Sequence, residues 1–443
     1  MGRKKSFNCT VQVAGLDSDY ECPIDKTTKG DHLFDQVCDH IGLAEKEYFG
    51  LRYIDEKDGQ FNWLEGDRSI KRQMGKAPLH FYFAVKFYPE NPTTLREDIT
   101  RYQFVLQLRE DLLKGRIQCS NPIHALLASY VMQAELGDLH PEEHEVAYLS
   151  DLKFFPKQPP ELRQKIEAFH RKHVGMTPSD AEFQYLDNVR KLPLYGRDMY
   201  QAWGDEGQAV TIAISAWGVE VFQNNRQMHR FVWPKIISIG FKSKKFSLTL
   251  RAPSEDDYYK STTIYFKCGS KRAAKRVWKV CVEHHAFFRL KEPVPLPKNT
   301  NFFKIGSKFR YSGRTQHQAR NNESVGVREQ PSFDRVSSKR FSLRVLDSNR
   351  KSMLIDDDAK KEPKSPEHPV TPVEPAQEEK KEDEKPVTDT QEPDQTQKED
   401  EQAAPPSQQQ AEPEAVETHL SSEALIDHED KANSSSSATC SIQ

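Results

Sequence analysis

The hydrophobic period of this chain changes twice, and that succession limits what it can fold into. Residues 7–24 alternate with period two as FNCTVQV and YECPI around the turn-forming Gly15 to Asp19, the mark of paired strands. A helix is predicted from Gly30 to Ile41, with Leu33, Phe34, Val37, Cys38 and Ile41 on one face. Strand-like EYFGLRYID and LHFYFAVKF follow, so residues 7–88 read as a ubiquitin-like roll. Beyond Pro89 and Pro92 the period becomes helical. Helices are expected through the apolar residues Ile99 to Leu113, at His124–Leu136, Glu161–His173 and Pro178–Leu192, the last with Thr177 as cap. That gives an all-helical unit over 94–193. From Ala209 the period returns to two in AVTIAI, GVEVFQ, HRFVW, IISIGF, FSLTL and TTIYFK. One helix closes the run from Ser270 to about Leu290. Ala274, Val277, Trp278, Cys281, His285 and Phe288 form its apolar stripe, and Arg272, Lys275, Arg276 and Lys279 its opposite face. A strand sandwich over 200–290 with one closing helix is the plan of pleckstrin-homology and phosphotyrosine-binding domains. The fold class is therefore α+β in three lobes.

The net charge of −3 averages two unlike regions. Residues 298–351 hold 13 Lys/Arg against 4 Asp/Glu, and residues 356–431 hold 24 Asp/Glu against 8 Lys. The last aromatic residue is Phe341, so the acidic stretch lacks the apolar surface needed to offset its chain entropy. Residues 346–443 are expected to be a disordered acidic tail. Seven cysteines without paired spacing, no apolar leader and no run of about 18 apolar residues point to a reduced cytosolic chain whose membrane role is peripheral.

The stretch Trp278 to Leu290 (WKVCVEHHAFFRL) resembles the end of the FERM domain in the protein 4.1 family. Ile305 to Gln316 (IGSKFRYSGRTQ) resembles that family's FERM-adjacent segment, here set at 298–345. Lys86 to Pro89, Glu97 to Tyr102, Ser129 to Gly137 and Arg230 to Pro234 are further matches, and the likeness covers about residues 7–345. It implies a three-lobed FERM domain whose helical lobe is of the acyl-CoA-binding-protein type. It also implies a membrane–cytoskeleton adaptor at the cell cortex, on the inner face of the plasma membrane and at cell junctions. The implied partners are cytoplasmic tails of transmembrane receptors such as glycophorin C or neurexin-like proteins, cortical cytoskeletal proteins and calmodulin. The acidic tail does not match the family's spectrin–actin-binding segment, which leaves open a lateral-junction scaffold of the coracle type that does not crosslink actin.

By the resemblance, Lys71, Arg72, Lys275 and Arg276 match positions that bind phosphatidylinositol bisphosphate, and cations are what a multiply charged headgroup requires. The alternative for them is a plain solvated face. A peptide groove is expected beside Ile236 to Phe241, with Ile236, Ile239, Phe241 and Trp278 as its residues, by addition of a partner strand. The same residues serve equally as core. Lys275, Arg276, Trp278 and Lys279 resemble a calcium-independent calmodulin site, for which burial of Trp278 is the competing reading. A second, calcium-sensitive site of the family corresponds to Arg190–Tyr195, where Pro193 replaces its serine.

Ser337, Ser338 and Ser342 follow basic residues as basophilic kinases prefer, and phosphate there is expected to weaken membrane attraction. Gly2 fits an N-myristoylation pattern, spoiled by Arg3. No enzyme is expected. No cysteine is followed six residues later by arginine, no glycine-rich phosphate loop occurs, and His140 and His144 lack a third ligand. No cofactor, metal or nucleic-acid partner is expected, nor a PDZ partner for Ser441-Ile442-Gln443.

Overall fold

The structure is a computed structural model that describes residues 6–140, 152–155, 158–251, 261–293, 309–322, 328–345 and 438–441. Gly2, His144 and the acidic stretch at 356–431 lie outside the described residues.

Lobe 1 is a mixed five-stranded sheet. Its strands are β1 (Phe7–Gln12), β2 (Tyr20–Ile24), β3 (Phe49–Asp55), β4 (Gln60–Trp63) and β5 (His80–Val85), in the order β2-β1-β5-β3-β4. The β1–β5 pair is parallel and the others antiparallel. Helix α1 (Gly30–His40) buries Leu33, Val37 and Cys38 against it. A short α2 (Ile70–Met74) precedes β5 and ends at Gly75, whose φ of 63° suits only a residue without Cβ.

Lobe 2 holds α3 (Asp98–Leu113), α4 (Asn121–Leu136), α5 (Pro160–His170) and α6 (Pro178–Val189). Thr177 accepts the amide of Asp180 at 3.2 Å, as the sequence predicts for a cap. Helix α3 buries residues around most of its circumference because lobe 1, α6 and the segment at 328–345 all pack on it.

Lobe 3 contains β6 (Asp198–Trp203), β7 (Ala209–Ser215), β8 (Gly218–Gln223), β9 (Arg226–Val232), β10 (Ile236–Lys242), β11 (Lys245–Arg251) and β12 (Ser261–Lys267). The order is β10-β11-β12-β6-β7-β8-β9, and among the described residues Lys267↔Trp203 is the pair that joins β12 to β6. Strand β6 is absent from the sequence reading because its alternation is polar and its apolar residues Met199 and Trp203 are exposed. Helix α7 (Lys271–Arg289), capped by Ser270, closes the lobe, with Ala274, Val277, Trp278 and Cys281 buried on the sandwich. Its next turn belongs elsewhere. Phe287 is fully buried and stacks on Phe87 at 4.2 Å, in the joint core of lobes 1 and 2.

The basic segment is a strap across lobes 1 and 2. It includes α8 (Gln316–Arg320), with a capping box between Thr315 and Gln318, and a helical turn over 338–345. Five of its arginines are used in ion pairs. Arg314 meets Glu47, Arg328 meets the fully buried Glu97, Arg335 meets Glu182, Arg340 meets Asp17 and Arg344 meets Asp19. This changes the expectation that the segment's positive surplus is available to a membrane. Five of its cations neutralise acids of the lobes instead.

A last strand, β13 (Ala438–Ser441), pairs antiparallel with β10. The sequence reading placed these residues in the disordered tail.

Candidate functional site

Lobes 1 and 3 are held together by a row of charges along α7. Arg272 donates to both carboxylate oxygens of Asp55 at 2.9 Å, and Arg276 to both of Asp58 at 2.8 and 3.0 Å. Lys279 meets Glu65, and Glu283 meets Lys86, each at 2.8 Å. Positions 272, 276, 279 and 283 recur at four, three and four, so they form one stripe on the helix. The expected solvated face of α7 is therefore an interface, with Arg276, Lys279 and Glu283 all buried. Lys275 remains exposed.

Beside this clamp a cavity of about 720 Å³ opens between the lobes. Its walls carry Phe61 and Trp63 from β4, Met199 and Trp203 from β6, and Arg52 from β3. Phe61, Met199 and Trp203 are large apolar side chains exposed to solvent. Arg52 lies over the Phe61 ring at 4.3 Å. Its Nε and the Oδ2 of Asp198 are buried without a hydrogen-bond partner among the described residues. Burial pushes the Asp198 carboxyl up to about 6, and Arg52 opposes that rise. Unsatisfied buried polar atoms of opposite sign, beside exposed aromatic rings, suit a ligand that brings both donors and acceptors.

The residues expected from sequence are distributed as follows. Lys71 and Arg72 sit on α2, where Lys71 lies over the Phe7 ring at 4.7 Å and Arg72 is exposed. Arg276 is 6% exposed and committed to Asp58, so this expected headgroup cation is held in an ion pair between lobes. Ile236, Ile239, Phe241 and Trp278 are all buried in the lobe 3 core. The Trp278 indole donates to the Ile239 carbonyl at 3.1 Å and packs on Phe241 and Phe309. A calmodulin lobe gripping Trp278, Arg276 and Lys279 would have to withdraw α7 from two interfaces at once. Ser338 and Ser342 are buried, and Ser338 donates its amide and hydroxyl to Glu135 while accepting from Arg109 at 3.0 Å. The cavity residues Arg52, Asp198 and Trp203 carry no signal in the sequence, because only the juxtaposition of lobes creates the site.

The FERM N-terminal domain family matches residues 16–76, the FERM central domain 90–200, the FERM C-terminal PH-like domain 204–296 and the FERM-adjacent region 301–344. This is a FERM protein with a FERM-adjacent segment. The chain is 46% identical over 345 residues to human band 4.1-like protein 2, covering 78% of this chain and 34% of that protein. It is 44% identical over 345 residues to human protein 4.1, covering 78% and 39%. The chain belongs to the protein 4.1 family, and it spans about a third to two fifths of these two relatives. Among solved structures, the complex of the FERM and C-terminal domains of Drosophila Merlin matches with a TM-score of 0.57 at 25% identity, over 63% of this chain and 96% of that one. No described helix is long and apolar enough to cross a membrane.

Proposed function

We propose that the chain is a membrane–cytoskeleton adaptor that receives the cytoplasmic tail of a transmembrane protein in the cleft between lobes 1 and 3. The observation that carries this is that the Arg52 Nε and the Asp198 Oδ2, both buried without a hydrogen-bond partner among the described residues, share one cavity with the exposed rings of Phe61 and Trp203. An extended tail supplies a carboxylate or carbonyl to Arg52, an amide or hydroxyl donor to Asp198, and an apolar side chain to the rings. Membership of the protein 4.1 family supports the adaptor role. Headgroup contact rests on Lys71, Arg72 and Lys275, and the receptor and lipid contacts, each weak, act together through avidity. Actin cosedimentation separates a crosslinking adaptor, which pellets, from a lateral-junction scaffold, which does not.

The test is fluorescence anisotropy with a labelled synthetic cytoplasmic tail of glycophorin C. An Arg52→Glu, Trp203→Ala double variant should bind at least about tenfold more weakly, as expected for central contacts. A Lys71→Ala, Arg72→Ala variant should bind as wild type does. Equal affinity for all three proteins, or no binding by wild type, rejects the cleft as the receptor site.

A further inference from the structure

The walls of the cleft between lobes 1 and 3 are strand edges. All four residues of β4, Gln60 to Trp63, line the cavity, as do residues 198–201 and Trp203 of β6. Side chains of consecutive strand residues point to opposite faces of a sheet, so a cavity that touches every one of them is met by the main chain. We infer that a bound tail is recognised through its backbone, as an extended segment that adds to the outer edge of β4 as a sixth strand of the lobe 1 sheet. This rests on the cleft as the receptor site and names the kind of segment it takes.

Three observations carry it. First, β4 ends the sheet order β2-β1-β5-β3-β4, and among the described residues no strand pairs with its outer side. The Leu64 amide donates to the Leu51 carbonyl at 2.8 Å, which continues the antiparallel register Arg52↔Trp63 and Ile54↔Phe61. Bonding alternates along such a ladder. Gln60 and Asn62 therefore direct their main-chain groups to β3, and Phe61 and Trp63 direct theirs away from it. Second, the edge is unguarded. QFNW has neither a charge nor a proline, the residues that usually protect an exposed edge. Third, the charges around it are committed. Arg116 meets Asp111, Arg197 meets Glu220 and Arg276 meets Asp58, which leaves Arg52 and Asp198 as the charged lining residues outside an ion pair among the described residues. One cation and one acid balance, so the cleft suits a segment without net charge that sets apolar side chains against the exposed Phe61, Met199 and Trp203.

Strand addition fixes the class of partner. The four residues of β4 span roughly 13 Å, so the paired part of the tail is about four residues long, neutral, and without proline where its amides face β4. Affinity then comes from main-chain bonds that tolerate many sequences, while alternate side chains against the rings discriminate among them. A helical tail, which bonds its own amides internally, gains nothing from this edge.

The experiment measures binding of the labelled glycophorin C tail to full-chain variants of Phe61, whose amide points outward while those of its neighbours hold the ladder. Phe61→Ala removes the ring and keeps the amide. Phe61→Pro removes both, at a position where an edge strand tolerates proline. At equal melting temperature, Phe61→Pro should bind about three- to tenfold more weakly than Phe61→Ala, as the loss of one hydrogen bond implies. Independently, tail peptides N-methylated one residue at a time should lose affinity about three- to tenfold at two positions, two residues apart, and keep it at the position between. This scan alone decides the matter should Phe61→Pro melt below Phe61→Ala. If the Arg52→Glu, Trp203→Ala variant binds weakly, yet Phe61→Pro matches Phe61→Ala and no methyl group matters, the cleft stands and strand addition is overturned. If that double variant binds as wild type does, the receptor site lies elsewhere and the inference falls with it.

Discussion

Replacing Arg276 with alanine separates two roles that one cation cannot fill together. The side chain is 6% exposed and gives both of its short contacts, 2.8 and 3.0 Å, to Asp58 across the lobe 1–lobe 3 boundary. Breaking a fully buried pair costs roughly 3–5 kcal/mol because the abandoned charge stays desolvated. Asp58 keeps 24% of its side-chain surface in solvent, which lowers the expected loss to about 2–3 kcal/mol. For a unit of this size that is a melting-point drop of roughly 3–5 °C. Asp58→Ala should fall by a similar amount, and the double variant by less than the sum, with a coupling of at least about 1 kcal/mol. Lys275→Ala, one residue away and exposed, should melt with wild type. The assays are differential scanning fluorimetry and cosedimentation with vesicles containing phosphatidylinositol bisphosphate. Should Arg276→Ala melt with wild type and yet fail to pellet, the ion-pair account of α7 is wrong and the guanidinium serves the headgroup.

Two further outcomes follow from buried groups. Phosphorylating Ser338 requires its hydroxyl to leave Glu135 and places about two negative charges beside that carboxylate. Ser338→Glu should release the 338–345 turn, seen as faster hydrogen exchange there and in the adjoining face of α3, with lobe 3 unchanged; unaltered exchange refutes the switch. The pH dependence of stability should fall on the acid side. Burial holds the His284 and His285 imidazoles at about 3 and about 4, below the roughly 6.5 of an unfolded chain. Their contribution is complete above pH 6.5 and is lost as pH falls through 6.5 toward 4, because the unfolded chain takes up the protons first. Asp198, raised to about 6, acts with the opposite sign, its contribution lost as pH rises through 6. Thermal scans of His285→Gln should therefore show a shallower decline between pH 6.5 and 5 than wild type, and parallel curves would contradict the assignment.

The lobes were legible because each is built from local periodicity. Leu33, Val37 and Cys38 on α1, the cap at Thr177 and the stripe Ala274–Val277–Trp278–Cys281 all repeat at spacings that a single element imposes. What joins the lobes was not legible, for a physical reason visible in α7. A charged residue on a helix face has the same sequence signature whether it meets water or a carboxylate 200 residues away. Arg272, Arg276 and Lys279 read as a solvated face until Asp55, Asp58 and Glu65 arrive from lobe 1. The strap repeats the case, since its positive surplus looked like a membrane surface, yet five of its arginines meet acids of lobes 1 and 2, among them the buried Glu97 and Glu182. Strand β6 was missed on the same ground. Its exposed Met199 and Trp203 break the rule that apolar residues mark the interior, and they break it at the wall of the cleft. Local rules fail where surfaces of different elements are made for one another, and in this chain those are the places where the lobes are joined and where a partner is proposed to bind.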